Sequence, residues 1–106
     1  MERIPLVQRQ IIKQKIDLND KYFIIRIEVT NNLIISKEDI KRNVYCVNHN
    51  FEKVWQIQHD PNCSHPDVPF VDINIKNNEL IAKDFAGFIY KVDINNGETK
   101  IINWNK

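Results

Sequence analysis

No stretch of this 106-residue chain is apolar for long enough to be a signal peptide or a membrane span. Its start, Met1-Glu2-Arg3-Ile4-Pro5, is broken by charge and proline within the first turn's length. There are two cysteines and no paired short-spaced Cys motif, so a disulfide framework is not expected, and reduced thiols in a cytoplasmic protein are. A charge excess is missing too. Fifteen basic residues stand against 14 acidic ones, which argues against a general nucleic-acid binder, since such proteins need a basic surplus to displace counterions. A local surplus, Arg3, Arg9, Lys13 and Lys15 against Glu2, reads as a solvated strand face. Alanine is scarce, while Ile, Val, Phe and Tyr are plentiful. β-branched and aromatic side chains suit a pleated, half-buried surface, so the composition points to sheet.

Alternation supplies the elements. Phe23, Ile25, Ile27 and Val29 share one parity, opposite Tyr22, Ile24, Arg26 and Glu28, the mark of a half-buried strand. Thr30-Asn31-Asn32 then turns into a strand at Leu33–Ser36, because Asn tolerates the left-handed conformation of tight hairpins. The charged run Lys37–Arg42 makes a wide connection, long enough for one helical turn. Strands follow at Asn43–Val47 and Phe51–Gln58, then a proline-rich loop at His59–Pro69. The pattern recurs at Phe70–Ile75, where Val71, Ile73 and Ile75 share a face, turns at Asn77-Asn78, and continues at Leu80–Asp84, Phe88–Asp93 and Thr99–Trp104. Asn95-Asn96-Gly97 is the strongest hairpin signal, predicting a type I′ turn.

The halves overlay: Val29 on Ile75, Tyr45 on Tyr90 and Lys53 on Lys100, at offsets of 45 to 47 residues, the length of one four-stranded propeller blade. The expected architecture is therefore all-β and a single domain. Two tandem four-stranded antiparallel blade-like units, 20–58 and 70–105, are preceded by an extra N-terminal strand in 7–18.

The run Asp84-Phe85-Ala86-Gly87-Phe88-Ile89-Tyr90, with Asp93 and a Gly-containing turn after it, resembles a blade repeat of PQQ-like propellers. The whole chain is similar to small stand-alone bacterial proteins with such a run near the C-terminus, several of which resemble immunity proteins of toxin loci. That group often carries Trp where this chain has Phe85. The resemblance implies a binding protein and no quinone cofactor, because two blades enclose no axis.

Chemistry-bearing clusters have simpler accounts. His59, Cys63 and His65 are zinc-ligand types in one loop, with Asp60, Asp67 or His49 as a fourth, but a polar loop rich in turn formers is the favoured account. Cys63 and His65 as a nucleophile pair lack a third orienting group. Cys46, mid-strand, reads as a packing residue. Glu38 with Asp39, or Asp84 with Asp93, would serve acid–base work only across a cleft. The aromatics Trp55, Phe70, Phe85, Phe88, Tyr90 and Trp104 suit core packing better than base stacking, with Phe70 and Trp104, near element ends, expected to be partly exposed.

The expected function is non-enzymatic protein binding without a cofactor or metal, as an immunity-type inhibitor occluding a toxin. The 37–42 connection and the 59–69 loop are the expected contact segments, and Glu38, Asp39, Asp60, Asp67, Phe70 and Trp104 the expected contact residues. Neither nucleic acid nor membrane is an expected partner. The alternatives are a module whose homodimer completes a larger ring, and a small zinc-binding hydrolase.

Overall fold

The computed structural model describes residues 3–4, 11–28, 36–61 and 68–104. Eight strands form two antiparallel sheets, each a simple meander. The first contains β1 (Ile12–Asp17), β2 (Tyr22–Ile27), β3 (Val44–Asn48) and β4 (Lys53–Gln56), in that order. The second contains β5 (Phe70–Lys76), β6 (Glu79–Asp84), β7 (Phe88–Val92) and β8 (Thr99–Trp104). A short helix, α1 (Lys37–Lys41), lies between β2 and β3. Ser36 caps it, its hydroxyl accepting from Asp39 N at 3.1 Å. Among the described residues no helix is long and apolar enough to cross a membrane.

The two four-stranded sheets are as the sequence predicts, but the first is assembled differently. The N-terminal strand is not an addition to it. β1 is its first strand, with Ile16 opposite Ile24, and β2 pairs directly with β3, Ile24 opposite Cys46. Of the strand expected at Leu33–Ser36, all but Ser36 lies outside the described residues. In pairing terms β2 therefore corresponds to β6, and the overlay of β2 on β5 does not hold. The overlay of β3 on β7 does.

The repeat stacks in one sense. Tyr90 and Val92 face the core between the sheets, together with Ile24, Val44, Cys46 and Trp55 of the first sheet. Their counterparts Tyr45 and Val47 face a second core on the far side of the first sheet. That core also holds Phe23, Ile25 and Ile27 and is closed by Ile4, Ile11, Ile12 and Phe51. β2 is consequently buried on both faces from Phe23 to Ile27, not on one as its alternation suggests. Residues 3–4 supply part of the cover: Arg3 bridges Glu52, and Ile4 N donates to Phe51 O at 2.7 Å.

Side-chain amides join the sheets. β5 is an edge strand, and an open edge invites pairing with another chain. Asn43 fills part of this edge, its Nδ2 donating to Phe70 O at 2.9 Å and its Oδ1 accepting from Phe70 N at 2.8 Å. Gln14 repeats the device at Ile73, accepting from its N at 3.1 Å and donating to its O at 3.3 Å. Each amide stands in for the backbone of an absent neighbouring strand.

One tight turn lies where the sequence places it, and one connection departs from expectation. Positive φ at both Asn77 (53°) and Asn78 (63°) gives the β5–β6 hairpin the signature of a type I′ turn. In the β7–β8 connection only Gly97 (80°) has positive φ, so Asn95-Asn96-Gly97 is not a type I′ turn. It is a wider loop closed by Gly97 N donating to Asp93 O at 2.8 Å, with the Asp93 carboxylate accepting from Asn95 N. The extra length lets Trp55 pack on the loop, its Nε1 donating to Ile94 O at 2.8 Å. A Cβ on Gly97 would lie 2.6 Å from Trp55 Cε3 and 3.0 Å from Gln56 O. Gly97→Ala is expected to cost about 2–3 kcal/mol in urea unfolding, combining left-handed strain with that overlap.

Cys46 is buried in the core between the sheets. Desolvation pushes its thiol from 9.0 up to about 11, so at neutral pH it is a protonated packing group.

Candidate functional site

The turn between β6 and β7 is held from beneath. Asp84 is buried, its carboxylate accepting from Tyr90 Oη at 2.7 Å and Phe88 N at 3.0 Å. Gly87, at φ 96°, donates its N–H to Asp84 O at 3.0 Å, and Phe85 N donates to Pro69 O at 2.9 Å. Outside, Trp104 Nε1 donates to Ala86 O at 3.0 Å. The Asp-x-x-Gly-x-x-Tyr run that marks this segment is therefore a lock on the turn. Its geometry leaves Asp84 pointing in and Phe85 pointing out.

Phe85 is 76% exposed, more than any other large hydrophobic side chain among the described residues. It borders a groove of about 280 Å³ whose other apolar walls are Ile40 of α1, Pro69 and Val71, with Phe70 in its lining. Arg26 and Glu28, paired at 3.5 Å, form its polar rim. α1 is tied in place there, because Gln56 Nε2 donates to Asp39 Oδ1 at 3.0 Å and to Arg42 O at 2.8 Å. Arg42 Nε in turn donates to Ile57 O at 2.8 Å. An exposed aromatic on a rigid turn beside an apolar groove can anchor a partner's side chain with little loss of entropy.

The expected contact residues divide here. Glu38 is exposed on α1 and does not line the groove, and Asp39 is partly buried and bonded to Gln56. Trp104, at the end of β8, is 56% exposed, as expected, and is hydrogen-bonded to the turn that carries Phe85. Phe70 is 1% exposed, which corrects the expectation that it lies partly open. A β-bulge between Phe70 and Asp72 shifts the parity of β5, turning Phe70 inward and leaving Val71 outside. Phe70 instead stacks on His59, with ring centroids 5.4 Å apart, and meets Tyr90 edge-on. Asp60 accepts from Ile101 N at 3.1 Å, covering part of the free edge of β8. Asp67, Cys63 and His65 lie outside the described residues, so the 59–69 loop is described only at His59, Asp60, Pro61, Val68 and Pro69. Among the described residues no three His, Cys, Asp or Glu side chains form a metal-binding group.

Ile40 and Pro69 belong to the 37–42 connection and the 59–69 loop, both expected contact segments, whereas sequence reasoning missed Val71 and assigned Phe85 to core packing with the other aromatics. The signal for Phe85 was its place between Asp84 and Ala86-Gly87. A residue at a turn tip, one step beyond the inward Leu80, Ala82 and Asp84, has no core to enter.

Two stacked antiparallel meanders with an apolar groove at one end define the chain as a small all-β protein of open-sheet architecture. Residues 3–104 match the family model described as a domain of unknown function, DUF7957. The chain belongs to that family. No curated protein and no solved structure matches it.

Proposed function

We propose that this protein is a non-enzymatic binding protein whose Phe85 groove receives a side chain of a protein partner, and that the partner is a bacterial toxin which it occludes as an immunity-type inhibitor. The observation that carries protein binding is the 76% exposure of Phe85 on a turn locked by Asp84 and Tyr90. Exposing a large ring on a rigid support contributes nothing to folding and suits an interface anchor. The narrower toxin reading draws on the similarity of the Asp84–Tyr90 segment to immunity-type proteins. Completion of a larger ring by a second copy is less favoured, because the far face of the first sheet is already filled by the chain's own Ile4, Ile11 and Ile12.

Affinity capture from the host's lysate by the tagged protein, read by native mass spectrometry, tests this beside the variant Phe85→Asp. The native protein is expected to hold one larger protein in a stoichiometric complex. The variant should weaken it by about 30-fold or more, the loss of an anchor worth about 2 kcal/mol or more, with its thermal midpoint little changed. Equal capture by both proteins, or self-association alone, would reject the assignment.

A further inference from the structure

The outer face of the second sheet faces neither core. Its cross-strand rows read Asn74, Ile81, Lys91, Lys100 and, beside them, Asp72, Lys83, Ile89, Asn103. Lys76 continues the face along β5, opposite Glu79. Ile81, Ile89 and the 51% exposed Ile102 line a shallow groove of about 310 Å³ on it. Four lysines thus surround three aliphatic side chains. Lys91 lies directly opposite Lys100, a like-charge pairing that weakens a sheet.

The carboxylates of this face are already engaged. Asp72 accepts from Gln14 Nε2 at 2.8 Å, at the seam between the sheets, and Glu79 pairs with Lys91 at 3.1 Å. Among the described residues no carboxylate lies within ion-pair distance of Lys76, Lys83 or Lys100. We propose that this face is a second docking surface, for an acidic protein segment that lays apolar side chains over Ile81, Ile89 and Ile102 and sets carboxylates against Lys76, Lys83 and Lys100. Complementary charge around an apolar centre gives such a contact both steering and register. A second copy is disfavoured because the lysines would meet themselves. Single-stranded nucleic acid is disfavoured because aliphatic groups offer no stacking platform.

The test is titration of the isotope-labelled full chain with a short synthetic peptide in which glutamates flank a leucine pair, followed through backbone amide resonances. The resonances of Ile81, Ile89, Lys91 and Ile102 should shift, and combining Lys83→Glu with Lys100→Glu should weaken the titration by about tenfold or more. Phe85→Asp should leave it unchanged, so this surface and the Phe85 groove succeed or fail separately. The proposal is overturned if the lysine-for-glutamate peptide binds as well. It is also overturned if an oligonucleotide shifts the same resonances at equal concentration, or if they move with protein concentration alone.

Discussion

Asn43→Ala is expected to lower the unfolding free energy by about 3 kcal/mol, near the upper range for a single substitution in a domain of this size. The buried amide donates to Ile27 O at 2.8 Å and holds both polar groups of Phe70. Alanine leaves the Phe70 N–H and C=O without that partner at the seam between two sheets, at about 1–3 kcal/mol for each buried orphan. Asn43→Asp should do no better, since it keeps the acceptor, loses both donors and brings a charge. Urea unfolding with an unchanged slope reads this directly. Gln14→Ala, at a more exposed point of the same edge, should cost about 1 kcal/mol. Equal costs at the two positions would mean that the seam is not closed where Asn43 lies.

Asp84→Ala comes next, at about 3–4 kcal/mol. It removes the acceptor for the Tyr90 hydroxyl and the Phe88 amide together, and leaves the hydroxyl without that bond beside Phe70. Tyr90→Phe removes the hydroxyl alone and should cost about 1–3 kcal/mol. The double variant Asp84→Ala, Tyr90→Phe should cost less than the sum of the singles, because each single change already breaks the shared bond. Additive losses would show that the two side chains are not coupled. Since Asp84 also sets the turn that presents Phe85, Asp84→Ala should weaken partner binding beyond what its loss of stability explains. Val71→Ala, which borders the groove without supporting the turn, should not disturb stability in this way.

Strand content was legible because alternation of apolar residues is a local property. Ile73, Leu80, Ala82, Tyr90 and Val92 all lie inward at the parity their sequence shows. The Asn77-Asn78 hairpin was legible for the same reason, since backbone preference at a tight turn is settled by the turn's own residues. The β7–β8 connection was not. Asn96-Gly97 favours a type I′ turn in isolation, and the ring of Trp55, distant in sequence, lies against the loop actually formed. β5 departs from its alternation for a comparable reason: a bulge is a property of the pairing and reverses parity locally, so Phe70 is buried and Val71 exposed, while Ile75 towards the strand's end is exposed as well.

By itself the sequence determined an all-β chain of two four-stranded units, the packing role of Cys46 and the turn at Asp84–Tyr90, all of them consequences of side-chain type at short range. The tertiary structure alone decided which strands make up the first sheet and that β2 is covered on both faces. It also decided that Phe85 stands out while Phe70 is buried, and that lysines gather on one outer face. These depend on which distant segments lie against each other. Period-two patterning states that a residue has a buried side, and cannot state what covers it or whether anything covers the other.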